Sequence, residues 1–297
     1  MKKENLIKIW FCQIRGPFLI LSVVLVLLGF SAAYRDGYHN WSHFLILLFG
    51  VMCAHISVDL FNELSDYRTK IDAHTVRTPF SGGSGMLQSG KVSPSAVSAV
   101  AYGTLVIAGA IGLYFCFVSG WLLLLFIISG GVAIRYYTTH LVRWLIGEVA
   151  AGLHLGTLVV LGVYYALTSR LTVEIVLISI PPGILTALLL LLNEFPDAAA
   201  DEIGGRRHLV IQFGKKICSK IYVWSMVVLY LVILMTPITV DVPYTILIAW
   251  VTLPLAIKAG LTVLERYDDT PNLTAALGMN VGVVILTDLF MAIGMFL

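Results

Sequence analysis

The chain has 297 residues, room for one or two water-soluble domains, yet 59% of them are hydrophobic and only 12% charged. Soluble proteins carry about 25% charged residues, and a mean hydropathy of +0.92 points the same way. A soluble enzyme, a disordered chain and a charged coiled coil are excluded, which leaves a protein that crosses the lipid bilayer several times. A net charge of +2 gives no electrostatic basis for binding nucleic acid. Cys12, Cys53, Cys116 and Cys218 are far apart, mostly in or beside apolar stretches, and lack metal-ligand spacing. They read as small buried hydrophobes.

A membrane-spanning helix needs about 20 mostly apolar residues. Such runs fall at about 17–34, 41–62, 94–117, 121–139, 145–167, 173–195, 217–236, 243–264 and 273–296. The first run and its basic lead-in have a signal-peptide pattern, but eight more runs follow, so it is read as a retained span. Hydrocarbon offers open backbone groups no partners, so each run is expected to be a helix. The runs are continuous rather than alternating, which excludes a barrel. The expectation is an all-α membrane protein with nine transmembrane helices. Its connections after the second and sixth runs, at about 65–93 and 196–216, are long and polar, while several others are short and nearly uncharged. Of the 19 Lys and Arg residues, all but Arg35 and Arg170 fall on one side. The positive-inside rule therefore places the N-terminus and both long loops in the cytoplasm, in a multi-pass protein of the cell (inner) membrane.

The second run ends in Asn62-Glu63-Leu64-Ser65-Asp66 and the sixth in Asn193-Glu194-Phe195-Pro196-Asp197. Each leads into a loop containing Gly-Gly, at Gly82-Gly83 and Gly204-Gly205. An odd number of spans makes these parallel repeats. The chain thus reads as a single domain over 1–297, with halves at about 10–140 and 141–264 and a last helix at 273–296.

Asp59, Asn62, Glu63 and Asp66 line one helix face, and Asn193, Glu194, Asp197 and Asp201 nearly do so, with Asp72 in the loop after the first cluster. So many carboxylates at one membrane boundary are costly unless cations neutralise them. Hard oxygen donors suit Mg2+, which is usually held by one or two carboxylates plus substrate phosphate oxygens. Two facing clusters would hold a diphosphate between metal ions. Any one of these acids alone reads as a solvated helix end; the duplication is what argues against that. An ion-coupled transporter is the alternative, disfavoured because the acids lie at one interface and no span is visibly broken around them.

These two motifs resemble those of the UbiA-type intramembrane prenyltransferases, which carry acidic motifs after the second and sixth helices of a nine-helix bundle. Asn62, Asp66 and Asp72 match the first motif, and Asn193, Asp197 and Asp201 the second. Glu63 and Glu194 stand where Asp is more usual. Arg15-Gly16-Pro17 is similar to the family's entry to the first helix, Tyr137-Thr138-x-x-Leu141-x-Arg143 to its fourth-helix signature, and Gly205-Arg206-Arg207-His208-Leu209 to the run after its second motif. Residues Arg77 to Leu87 and Gly147-Glu148 look most like the 1,4-dihydroxy-2-naphthoate prenyltransferases of menaquinone synthesis. Acceptors such as 4-hydroxybenzoate or archaeal geranylgeranylglyceryl phosphate remain open alternatives.

The resemblance implies transfer of a polyprenyl group from a polyprenyl diphosphate to an aromatic acceptor, with Mg2+ as cofactor. The implied metal ligands are Asn62, Asp66, Asp72, Asn193, Asp197 and Asp201. Asp66, Asp197, Asn62 and Asn193 would be catalytic through the leaving diphosphate, and Tyr137 through its aromatic face toward an allylic cation. Arg15, Arg77, Arg143, Arg206 and Arg207 are expected to bind substrate, since Arg suits bidentate phosphate recognition. His55 and Glu148 are further substrate-binding candidates. Against this, a lone His more often bonds a backbone carbonyl, and Glu148 also reads as favouring a helix N-terminus. His154 is weaker still. Asp288, with Asn280 and Thr287, is expected to make interhelix hydrogen bonds.

Overall fold

The computed structural model describes residues 5–71, 75 and 77–297. Among them there is no strand, and eight helical segments are long and apolar enough to cross a membrane. A short α1 (Leu6–Gln13) precedes α2 (Ile20–Arg35), α3 (Trp41–Thr69), α4 (Pro94–Ser119) and α5 (Leu123–Tyr136). Then come α6 (Gly147–Ala151), α7 (Leu158–Thr168), α8 (Val173–Ile203), α9 (Leu209–Phe213), α10 (Lys215–Thr239), α11 (Leu253–Arg266) and α12 (Thr270–Phe296). The expected span at 121–139 is a helix of only 14 residues, too short by itself for a hydrocarbon core about 30 Å thick.

Local chemistry sets the helix starts. Asn40, Ser93, Thr172 and Asp269 accept hydrogen bonds from His43, Ala96, Ile175 and Asn272 backbone N–H groups, and Pro94 and Pro271 stand in the first turns they open. Two helices run past the ends expected from hydropathy. The helix α3 continues to Thr69 and α8 to Ile203, so Asn62 and Asp66 of the first acidic motif and all of the second lie within helices. Hydropathy reports where apolar residues stop; helix ends depend on how the following acids are satisfied.

The main core joins α2, α7, α8, α10, α11 and α12 through residues such as Leu25, Leu185, Leu192, Leu229, Val263 and Val284. Polar pairs stitch it: the Tyr222 hydroxyl donates to Asn280 Oδ1 at 2.9 Å, and Thr252 lies 2.8 Å from Thr287. Asp288 departs from its expected role. It is fully buried, and neither carboxylate oxygen has a hydrogen-bond partner among the described residues. The four cysteines form no disulfide, three of them buried.

Gly152–Thr157 form a π-helical segment between α6 and α7 that lies against Pro182, Gly183 and Ala187 of α8. π-Turns often mark functional places in helices. A Cβ at Gly156 would stand 2.6 Å from Pro182 O and 2.7 Å from Gly183 Cα, so only hydrogen fits there. Gly156→Ala is expected to cost about 1–3 kcal/mol by overpacking. Gly103→Ala on α4, where a Cβ meets nothing within 4 Å, should be neutral or stabilising by up to about 1 kcal/mol. Thermal unfolding in detergent separates them, and equal midpoints for the two variants would refute this packing.

Candidate active site

Two adjoining cavities open among α2, α3, α5, α8 and α12. The larger, about 290 Å³, is mainly apolar, with walls from Val51 and Val58 of α3, Val159 of α7, Leu189 of α8 and Val284 of α12. The smaller, about 100 Å³, is polar and holds Asp66, Asp197, Asp201 and Arg206. Arg15, Asn62, Phe80, Tyr137, Leu190 and Asn193 line both, so one chamber runs from a charged mouth to an apolar interior.

Helix spacing explains the mouth. Asn62 and Asp66 are one turn apart on α3, as are Asn193 and Asp197 on α8, and Asp201 lies one turn further on. Arg206, in the connection from α8 to α9, spans the two motifs. Its Nη1 donates to Asp201 Oδ1 at 2.8 Å, and its Nη2 to Asn62 Oδ1 at 3.1 Å and to Asp66. Thr138 also donates to Asn62 Oδ1, at 3.1 Å. Burial alone would lower the Arg206 pKa, but Asp66 and Asp201, then Tyr137 and Glu194, outweigh it and hold the guanidinium above its ordinary value.

A second ion pair braces the first motif. Arg15 Nε donates to Glu63 Oε1 at 3.1 Å, and Ser84 donates to Glu63 from its N (2.8 Å) and Oγ (2.7 Å). Glu63 is fully buried. Burial would again lower the Arg15 pKa, but Glu63, Asp59 and Asp66 raise it. Arg15 holds a left-handed backbone, φ 50, uncommon for a non-glycine residue. Such strain costs of order 1–3 kcal/mol and persists where surroundings over-determine it.

The structure thus brings Asn62, Asp66, Asn193, Asp197, Asp201, Tyr137, Arg15 and Arg206 to one mouth. His55 lines the apolar part, 2.8 Å from the Ser22 hydroxyl and 3.7 Å from Asp59, and so does His154, whose Nδ1 lies 2.9 Å from Ala150 O. Four expected substrate-binding residues lie elsewhere. Arg143 belongs to a separate cavity with Arg68 and Arg135, although its neighbour Val142 lines the polar mouth. Arg77 is exposed and packs beside Gly82 and Gly85, and Arg207 is exposed while its neighbour Arg206 points in. Glu148 is buried behind the chamber, accepting from Leu209 N at 2.8 Å. Asp72 lies outside the described residues. Sequence reasoning missed Ser84 and His208; the signal for His208 was its place directly after Arg206-Arg207.

The donor set fits Mg2+. Asn193 Oδ1 and Asp197 Oδ1 are buried and have no hydrogen-bond partner among the described residues, as open oxygen ligands would be. Asp201 differs, since Arg206 and His208 engage its two oxygens.

A charged mouth on an apolar intramembrane chamber suits an enzyme acting on an amphiphile whose charged head stays at the membrane boundary. Comparison with known proteins agrees. The UbiA prenyltransferase family matches residues 22–282. The chain belongs to that family and is a prenyltransferase. It is 29% identical over 262 residues to a Bacillus subtilis (strain 168) protein named 1,4-dihydroxy-2-naphthoate octaprenyltransferase, covering 87% of this chain and 83% of that one. In fold it is similar to a UbiA homolog from Aeropyrum pernix K1, with TM-score 0.66 and 15% identity over 93% and 98% of the two chains. A UbiA homolog from Archaeoglobus fulgidus, solved with GPP and Mg2+, gives TM-score 0.60 and 13% identity over 95% and 99%.

Replacing Arg15 with Ala would strand a buried Glu63. Losing one partner of a buried pair costs about 3–5 kcal/mol, so Arg15→Ala should lower the unfolding temperature strongly, and adding Glu63→Gln should recover part of the loss. A double variant no better than the single one would show that the pair is not coupled.

Proposed function

We propose that this protein transfers a polyprenyl group from an allylic diphosphate to 1,4-dihydroxy-2-naphthoate, in a Mg2+-dependent reaction of menaquinone synthesis. The observation that carries this reading is the continuity of the chamber, with paired acidic motifs at its mouth and apolar walls beyond. The naphthoate acceptor is favoured by the Bacillus subtilis relative, and Mg2+ by the ion bound in the Archaeoglobus fulgidus homolog.

On this reading Asn62, Asp66, Asn193 and Asp197 hold the metal, with Asp72 and Asp201 as further ligands. When bound, Mg2+ supplies Lewis-acid stabilisation of the charge that develops on the leaving diphosphate. Arg206 and Arg15 place fixed positive charge beside the phosphate oxygens. The prenyl tail extends among Val58, Leu189 and Val284, where water is excluded and an allylic cation is not quenched. Tyr137 stands where the two cavities meet and turns an aromatic face to that cation.

We further propose nine spans, the 14-residue α5 crossing together with the turns at 121–122 and 137–140 that flank it. The N-terminus and the mouth face the cytoplasm at the inner membrane, which the one-sided Lys and Arg distribution supports. The single domain consists of the repeated halves 10–140 and 141–264 and the last helix 273–296.

Membranes containing the protein can be supplied with labelled geranylgeranyl and longer diphosphates against 1,4-dihydroxy-2-naphthoate, 4-hydroxybenzoate and geranylgeranylglyceryl phosphate. The naphthoate should be prenylated, with product mass reporting chain length. Asp66→Ala and Asp197→Ala should each lower kcat by at least about 10²-fold with the folded yield kept. Full activity in both variants would overturn the mechanism, and product only on another acceptor would overturn the assignment of substrate.

A further inference from the structure

Behind the polar mouth, three buried side chains from separate parts of the chain converge. They are Glu148 on α6, Glu194 on α8 and His208 immediately before α9. One donor atom from each lies within 4.8 Å of the others, and the residues are 3%, 6% and 0% exposed. Glu194 borders the polar part of the chamber, whereas Glu148 and His208 line neither part, so the point where the three meet lies behind its wall.

Each hydrogen bond these groups make occupies an atom other than the three left over. The Leu209 N–H donates to Glu148 Oε1 at 2.8 Å, and His208 Nε2 lies 3.2 Å from Asp201 Oδ2. Glu148 Oε2, Glu194 Oε2 and His208 Nδ1 are buried with no hydrogen-bond partner among the described residues. His208 Nδ1 and Glu194 Oε2 are 3.5 Å apart, longer than a good hydrogen bond. Three orphaned polar atoms at one buried point, two of them on carboxylates, are unfavourable without a cation between them. Arg206 attracts Glu194 but hydrogen-bonds none of the three atoms: its two terminal nitrogens are directed at Asp201, Asn62 and Asp66.

The imidazole is arranged as a metal ligand. A carboxylate that accepts a ring N–H fixes the tautomer and leaves the other nitrogen's lone pair free. Asp201 stands in that position toward Nε2, which leaves Nδ1 for a cation. One imidazole with two carboxylates suits a first-row transition ion such as Zn2+, whereas Mg2+ favours oxygen and retains its waters.

We propose that Glu148, Glu194 and His208 form a second, structural divalent-cation site for a Zn2+-type ion, distinct from the diphosphate-facing site. Such an ion ties α6 and α8 to the connection that carries Arg206 two residues before His208. It therefore holds Arg206 in register with both acidic motifs. This inference does not depend on which acceptor is prenylated.

The test uses the full-length protein in detergent, stripped with a chelator and dialysed against Zn2+ without diphosphate. Bound metal is counted by elemental analysis, and Zn2+ affinity is measured by calorimetry. Wild type should hold one tight Zn2+, and Zn2+ should raise its unfolding temperature. Glu148→Gln and His208→Gln should each weaken Zn2+ binding by more than about 10-fold, while Asp66→Asn and Asp197→Asn leave it unchanged. X-ray absorption on wild type requires no variant to fold. It should show nitrogen and oxygen ligands at about 2.0–2.1 Å and no sulfur. No retained Zn2+ in wild type would overturn the site, as would loss of Zn2+ on Asp66→Asn or Asp197→Asn, or a sulfur shell.

Discussion

Charge neutralisation in a low-dielectric place governs this molecule. Its mouth gathers carboxylates from α3 and α8 at the edge of an apolar bundle, where each unpaired charge is expensive. Arg206 answers the central part by contacting Asp66, Asn62 and Asp201 with its two terminal nitrogens. Arg15 answers the flank through Glu63, which Ser84 also ties to the loop after α3. A buried pair of this kind is a weak source of net stability, because desolvation offsets most of its attraction. What it provides is position: two helices distant in sequence are held with their acids facing one space.

Position in turn gives the chamber its division of labour. The polar part keeps Asn193 Oδ1 and Asp197 Oδ1 without hydrogen-bond partners among the described residues, a cost that a bound ligand would offset. The apolar part continues from the same lining residues, so a molecule with a charged head and a long hydrocarbon tail meets the matching surface at each end. The close contact of the π-helical Gly152–Thr157 with Pro182 and Gly183 sets one wall, since side chains there would push α8 outward.

Much of this was legible in the residues themselves. The membrane class, the helical spans and the paired acidic motifs followed from apolar run length and from carboxylates recurring at helical spacing. Arg206 was picked by type and place, and Arg15 through the resemblance of Arg15-Gly16-Pro17 to the family's entry to the first helix. Arg77, Arg143 and Arg207, expected to bind phosphate, and Glu148, an acceptor-side candidate, fall outside the chamber. The difference between Arg206 and Arg207 is one peptide unit in a turn, which composition and charge cannot resolve. The expectation for Asp288 failed similarly: Asn280 and Thr287 found partners across the core, while its carboxylate found none among the described residues.

The amino-acid sequence by itself determined the solvent this protein lives in and the chemistry available to it. A scarcity of charge commits the chain to lipid, and helical spacing puts the acids of each motif on one face whatever surrounds them. Only the tertiary structure decided which cations neutralise which acids, which oxygens stay open, and that Glu148, Glu194 and His208 meet behind the mouth. The reason is range. Patterns of hydropathy and spacing act within one helix, whereas pairing and burial depend on residues brought together from α1 through α9.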